Sequence, residues 1–384
     1  MSKRANGEGT IHLRADGRWE CRITTGRDPG TGKAIRRSVY GKTQAEVRKK
    51  LTASAHELDE GVYIPPDRIT VGQWLTLWHA EYLGKVKEST AYKYGATLRT
   101  HLIPAFDKLR LQQLTAPMVQ QLYNGKLRGG LSAKSVKDMH GILHKALAQA
   151  VRLGYLRFNP CDACELPRVE RRKITPMEGD SIGAFLTAIQ GHKYEALYLV
   201  TLFTGMRQGE VLGLTWDCVD FQNGVLLIDK QLQKQKRVGG GGPYRLVEVK
   251  NDRKRLIAPA AQVMNTLRQI RHSQQQNRLL LGPDWQGDMN LVFTHENGRH
   301  LTAGTTYACF KRIVKRLGMG RERFHDLRHT YATLSLQNGD DIKTVSETLG
   351  HATVAFTLDV YGHVSHQMRR ASADRMTAFI DSVK

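Results

Sequence analysis

Two proline-marked breaks, Ile64-Pro65-Pro66 and Asn159-Pro160, divide the 384-residue chain into three stretches that no single continuous fold accommodates. Proline brings no amide hydrogen to a helix or sheet, so a Pro-Pro pair ends regular structure and stiffens the joint. The stretches differ in hydrophobic period. Before the first break, short strand patterns alternate with turns. Gly9-Thr10-Ile11-His12-Leu13 reads as one strand, Asp16-Gly17 as a hairpin turn, and Trp19 to Thr24 as a second strand. Asp28-Pro29-Gly30-Thr31-Gly32 is a longer turn, and Lys33 to Tyr40 supplies a third strand. Thr43 is placed to cap a helix from Gln44 to about Leu58, with Glu46 three residues on as a capping box.

The middle stretch follows a helical period. Val71, Trp74, Leu75 and Trp78 fall at i, i+3, i+4 and i+7. Ser89 is expected to cap the next helix, through Tyr92, Tyr94 and Leu98, and Pro104 to break it. Thr115-Ala116-Pro117 reads as a helix entry. Ser132 starts a last helix carrying Val136, Met139, Ile142, Leu143, Ala146 and Ala150 on one face and Lys134, Lys137, His144, Lys145 and Arg152 elsewhere. The third stretch mixes both periods. Helices are expected at Asp180 to Ile189 and Tyr194 to Thr204. Strands are expected at Gly224 to Ile228 and Tyr244 to Val249, flanking Gly239 to Gly242, with a third at Arg255 to Ile257, then helices down to Val383. The expected fold is multidomain, mainly α with small β elements. It comprises a three-stranded sheet plus helix (1–66), a helical bundle (67–168) and a mixed α/β unit with a terminal helix (169–384).

Hydrophobic residues make up 40% of the chain, enough to bury cores. The 58 Lys and Arg against 36 Asp and Glu give a net charge of +22, which calls for a polyanionic partner, with nucleic acid ahead of an anionic membrane. The longest apolar run, near Tyr194 to Phe203, contains Glu195 and is too short to span a bilayer, and Met1 to Thr10 does not read as a signal peptide. Five scattered cysteines fit a reducing cytoplasm better than a disulfide framework. Cys161-Asp162-Ala163-Cys164 lacks the second ligand pair of a structural zinc site, so no metal is expected. In the first stretch, Arg14, Arg18, Arg22, Arg36 and Arg37 lie beside Trp19 and Tyr40, and only one of the adjacent Arg36 and Arg37 can share a face with the others. Such a sheet can enter a DNA groove.

Four clusters carry chemistry. Thr204-Gly205-Met206-Arg207-Gln208-Gly209-Glu210 ends an apolar helix and opens another with an arginine, a setting for an anion. Lys250-Asn251-Asp252-Arg253-Lys254-Arg255 places a lysine at a strand end before a hairpin turn. In His325-Asp326-Leu327-Arg328-His329-Thr330, His325 and Arg328 share a helix face while His329 and Leu327 point elsewhere. Leu349-Gly350-His351 is followed ten residues later by Tyr361. Each has a bland reading: a capping arginine paired with Glu210, a solvated lysine, a helix cap, a core tyrosine.

Together, in order and spacing, these clusters resemble the tyrosine recombinases, the phage-type integrases. That family shows an arginine in a Thr-Gly-x-Arg-x-x-Glu run, a hairpin lysine, a His-x-x-Arg, a Leu-Gly-His and then a tyrosine. The resemblance assigns Arg207, Lys250, His325, Arg328, His351 and the nucleophile Tyr361 as catalytic, with Glu210 in support. Lys254 and Arg255 stand where the family's hairpin often has a serine, so Lys234, Lys236 and Lys254 rival Lys250. Residues 69–160 resemble the family's SAM-like core-binding domain, and the first 66 resemble an arm-binding domain of integrases from temperate phages and conjugative transposons.

The chemistry fits the residue types. Arg207 and Arg328 offer fork-shaped cations to the charge gathering on a phosphodiester's oxygens. His325 and His351 add hydrogen bonds or move protons, with His325 as the base for Tyr361, whose phenol ordinarily titrates near ~10. The resemblance implies a 3′-phosphotyrosine, a free 5′-hydroxyl protonated by Lys250, and no cofactor. It also implies core and arm sites on double-stranded DNA, a tetramer linked by exchange of C-terminal tails, and accessory excisionase or DNA-bending proteins at a bacterial nucleoid. Met376, Phe379, Ile380 and Val383 form the tail's apolar stripe. Rival readings are a chromosome-dimer resolvase, a type IB topoisomerase and a non-catalytic DNA-binding regulator.

Overall fold

The computed structural model describes residues 10–14, 16–27, 34–48, 69–84, 86–170, 176–177, 179–235, 241–249, 254–362 and 366–383. The chain forms two compact units, Met1–Glu170 and Arg171–Lys384. No described helix is long and apolar enough to cross a membrane.

The first unit opens with an antiparallel sheet of β1 (Thr10–Leu13), β2 (Trp19–Arg27) and β3 (Ala34–Gly41), in that order. Pairing of Ile11 with Cys21 and Cys21 with Val39 sets one face. Buried Cys21 packs there against Val47 of a helix described over 44–48 (α1), with Ile11 and Trp19 alongside. Thr43 accepts a bond from the Glu46 amide as expected. The Glu46 carboxylate, however, takes the Lys42 amide, one residue before its expected partner.

The helical part has its own core. In α2 (Val71–Glu81) the expected stripe Val71, Trp74, Leu75 and Trp78 is buried, and a full capping box with Thr70 and Gln73 starts the helix. α3 (Glu88–Thr97) begins one residue before Ser89, with no side-chain cap. Pro104 does not break the chain. Five residues, Leu98–Leu102, widen into a π turn in which the Ile103 amide reaches the Leu98 carbonyl, and α4 (Ile103–Phe106) follows with Pro104 in its first turn. The wider turn moves the proline's missing donor to a helix start, where it costs nothing. α5 (Ala116–Arg128) and α6 (Ala133–Arg152) complete the bundle. Ser132 caps α6, whose buried face carries every apolar residue expected of it. The Trp74 indole donates to the Ala146 carbonyl at 3.0 Å, tying α2 to α6.

The second unit begins with α7 (Gly179–Ile189), α8 (Glu195–Thr204) and α9 (Gln208–Leu212). β4 (Val219–Asp220), β5 (Val225–Ile228), β6 (Lys230–Lys234), β7 (Tyr244–Glu248) and β8 (Arg255–Ile257) follow. Here the structure corrects the sequence. The hairpin is β6–β7, around the glycine run, and β8 pairs with β5 rather than with β7. Ile228 faces Arg255 and Lys230 faces Glu248, and between these pairs the Val249 amide donates to the Asp229 carbonyl at 3.1 Å. Lys250, expected at a strand end before a hairpin turn, lies outside the described residues. α10 (Ala261–Leu281), α11 (Ala303–Arg316), α12 (Asp326–Gln337), α13 (Ile342–Leu349), α14 (Val354–Tyr361) and α15 (His366–Ser382) complete the unit. Phe185, Tyr198, Phe310 and Phe324 pack in its core, edge to face except for the tilted Phe185–Tyr198 pair.

Candidate active site

The site is built on the C-terminal end of α13. Gly350 adopts the left-handed conformation (φ 64°), and the amides of Gly350 and His351 bond back to Glu347 and Ser346. This closure leaves the last carbonyls, the negative end of the helix, open to cations. Two arginines take them. Arg328 Nη2 donates to the Leu349 carbonyl at 2.5 Å, and Arg207 Nη2 donates to the Gly350 carbonyl at 3.1 Å. Neighbouring carbonyls thus bring the two guanidiniums side by side.

Each arginine has a second anchor. Arg328 Nη1 donates to the Gly205 carbonyl at 2.7 Å. Gly205 is required at that point: its φ is +63°, and a Cβ would lie 2.5 Å from the Tyr331 ring and 2.7 Å from Leu349. Arg207 caps α9 and donates Nη1 to Glu210 at 2.6 Å, while Glu210 accepts the Arg207 amide at 2.9 Å. Glu210 is buried and shared. Arg255, at the start of β8, donates Nη2 to it at 2.7 Å and Nε to the Thr348 carbonyl at 2.6 Å. Burial alone would raise the Glu210 carboxyl, but the bonds and charge of Arg255, then Arg207, hold it down to about 2. Arg328 is 2% exposed. Burial and then the neighbouring Arg207 lower it to about 9, which leaves it a cation at neutral pH.

Tyr361 ends α14 and packs among Ala332, Leu336, Val345 and Leu349. Burial pushes its phenol up to about 12, against the opposing pull of Arg328. His351 lies parallel to its ring at 6.2 Å and bonds through Nδ1 to Thr357 Oγ1 at 2.8 Å. Burial, then Arg328 and Arg207, push His351 down to about 3, so the ring is neutral. The Tyr361 hydroxyl lies 2.5 Å from Nδ1 of His329. This overturns the expectation that His329 points elsewhere. His325, at the head of α12, sits edge to face on His329 at 4.9 Å and makes no bond to Tyr361 among the described residues. Its pKa too is lowered, by burial and then Arg328.

Arg207, Glu210, His325, Arg328, His351 and Tyr361 therefore converge. Lys250 and Lys236 lie outside the described residues, and Lys234 and Lys254 are exposed. Sequence reasoning missed two members. His329 was legible as the i+4 neighbour of His325. Arg255 was legible only as a charge opening the third expected strand.

The residues expected to meet DNA elsewhere divide. Arg14 is exposed, 3.5 Å from Glu20 and over the Tyr40 ring, and Arg18 is exposed near Asp16. By strand alternation, positions 22 and 36 share the face of Glu20 and Tyr40, while position 37 falls with Cys21 and Val39. Trp19 packs in the small core rather than on the open face, because the register puts it two residues from Cys21. On α6, Lys134 pairs with Asp138 and Lys137 is half-buried. Among the described residues no group of His, Cys, Asp and Glu could hold a metal ion.

Two guanidiniums on a helix end, neutral histidines and a buried tyrosine thus form one cluster in which cationic donors stand beside a phenol oxygen. Residues 174–368 match the phage integrase family, and residues 70–127 match the phage integrase N-terminal SAM-like domain. A tyrosine recombinase XerC-like protein of Caldanaerobacter subterraneus is 30% identical, over 89% of this chain and 91% of that protein. The Tn1549 transposon integrase, solved with a circular intermediate DNA, aligns with a TM-score of 0.66 at 23% identity, covering 80% of this chain and 99% of that one. A lambda integrase tetramer bound to a Holliday junction aligns with a TM-score of 0.58 at 19% identity, covering 89% and 95%. The chain belongs to the phage integrase family. It is a tyrosine-type site-specific recombinase, an enzyme that breaks and rejoins DNA.

Proposed function

We propose that this integrase cuts each strand with Tyr361, forming a 3′-phosphotyrosine and a free 5′-hydroxyl, and reverses the step on a new partner strand. The observation that carries this reading is the convergence of Arg207 and Arg328 on adjacent carbonyls at the end of α13, beside Tyr361. A guanidinium has five N–H donors, and each of these two commits two to the protein in the bonds described above, leaving the rest for the non-bridging oxygens of a phosphodiester. Fixed in this way, they stabilise the charge of the transition state without reorganising. Glu210 orients Arg207, His325 and His351 donate to the phosphoryl oxygens, and Lys250 protonates the departing 5′ oxygen. The covalent joint conserves the bond energy, so religation needs no ATP.

Residues 1–66 then serve as an arm-site domain, with Arg14, Arg18, Arg22 and Arg36 tracking phosphates. Residues 67–168 are the core-site domain, with Lys134 and Lys137 on its basic face, and 169–384 the catalytic domain. The protein works on the bacterial nucleoid in the cytoplasm, with excisionase or DNA-bending proteins setting direction. Met376, Phe379, Ile380 and Val383 are all exposed on or just after α15, which supports their docking onto a second copy in a tetrameric synapse.

The test is a nicked suicide duplex carrying the joined ends of the parent element, incubated with wild type and with Tyr361→Phe. The expected result is an SDS-stable, protease-sensitive DNA adduct from wild type only. The same reactions with a chain ending at Arg370 should lose cooperative binding. DNA binding without an adduct from either full-length protein would replace the recombination reading with a regulator, and unchanged cooperativity would remove the tail's role.

A further inference from the structure

We propose that His329, and not His325, takes the proton from Tyr361 as the phenol attacks the phosphodiester; this rests on the reading of Tyr361 as nucleophile. A proton cannot leave an oxygen without an acceptor in line with it. Among the described residues, the acceptor within hydrogen-bond reach of the Tyr361 hydroxyl is His329 Nδ1, at 2.5 Å. The other two rings nearby are placed for different work. His351 lies parallel to the Tyr361 ring and commits its Nδ1 to Thr357. His325 stands edge-on against His329 and makes no bond to Tyr361 among the described residues.

The surroundings of His329 keep it in the state an acceptor needs. Burial, then His325, lower it to about 4, so at neutral pH the ring carries one hydrogen and an open lone pair. The groups facing it are Arg323, His325, Asp326 and Arg328 from its own helix and the preceding turn, Tyr361 from α14, and His351 from the turn after α13. Arg323 is paired with Asp326 at 3.0 Å, which mutes that charge. Without DNA the proton stays on the phenol, whose affinity for it exceeds that of His329 by a wide margin. The nucleophile is therefore stored rather than armed. As the oxygen–phosphorus bond forms, the phenol oxygen becomes an ester oxygen and loses its hold on the proton, and transfer to Nδ1 becomes downhill.

The balance is complete. The Tyr361 O–H bond breaks and an N–H bond forms on His329, while an O–P bond forms and the P–O5′ bond breaks. The 5′ oxygen takes its proton from a separate donor, the role given to Lys250 above. Religation runs the same steps backwards, with His329 returning its proton to the departing phenol oxygen.

The experiment measures single-turnover adduct formation on the nicked duplex from pH 6 to pH 9, for the full-length wild type, His329→Gln and His329→Asn. Two leaving groups are compared, the ordinary 5′ oxygen and a 5′-bridging sulfur, which departs without a proton. Rates are read on whichever variant binds the duplex and unfolds thermally like wild type. The expected result is a loss of about 10²-fold or more at pH 7. The loss should shrink as pH rises and hydroxide replaces the base, and sulfur should not cure it. A wild-type rate, a deficit constant across pH, or rescue by sulfur would each overturn the role of His329. Failure of wild type to form any adduct would instead strike Tyr361 itself.

Discussion

The amino-terminal sheet and the catalytic unit both rely on arginine, in opposite ways. On the sheet, Arg14 and Arg18 side chains are 42% and 67% exposed, and their carboxylate neighbours lie no closer than 3.5 Å. In the catalytic unit, the Arg255 side chain is 7% exposed, and Arg255 and Arg328 donate to named acceptors at 2.5–3.3 Å. Exposed charge attracts a polyanion as a sum, and no single member is decisive. Buried charge is tolerated only when its donors are assigned, and each member then holds the others.

The largest effect should follow from breaking the buried network. Arg255→Met leaves Glu210 with one cation and the Thr348 carbonyl without its partner. We expect a stability loss of about 3–5 kcal/mol in urea unfolding, with slower cleavage on DNA. A loss below about 0.5 kcal/mol would place Arg255 with the surface arginines.

A smaller, graded effect should come from pH. His329 and His351 are held to about 4 and about 3, below the ordinary histidine value, so the unfolded chain binds protons that the folded chain refuses. Their contribution is complete above about pH 6.5 and should decline as pH falls toward 4. Glu210, held to about 2, gives stability that is present above the ordinary carboxylate range and lost only below it. Unfolding midpoints at pH 7, 6 and 5 should fall in that order, and a flat profile would mean the histidines are not buried neutral.

The smallest effect belongs to the sheet. Arg14→Ala with Arg18→Ala should change stability by no more than about 0.5 kcal/mol per site, yet lower the salt slope of arm-site binding by about one unit for each phosphate that an arginine no longer neutralises. An unchanged salt slope would show that these arginines do not meet DNA.

Much of this was legible in the chain itself. The α2 stripe from Val71 to Trp78 and the α6 face from Val136 to Ala150 appear as their periods demand, because a buried helix face is written directly in residue spacing. The motif residues from Arg207 to Tyr361 were identifiable from order and spacing. Trp19 was misplaced because arginine neighbours in sequence alternate across a strand, and only the register against Cys21 decides which face is closed.

What the sequence determined alone was local: the helix faces written in residue spacing, most of the strands and turns, and which residue types carry chemistry. What tertiary structure decided was pairing across distance. β8 joins β5 instead of closing a hairpin with β7, and this carries Arg255 to Glu210. α14 folds back so that Tyr361 meets His329, 32 residues away. Periodicity records the face that a residue presents to its own element, and nothing in it specifies which distant donor will meet which buried acceptor. That choice is made by packing and by the cost of leaving a buried polar group unpaired.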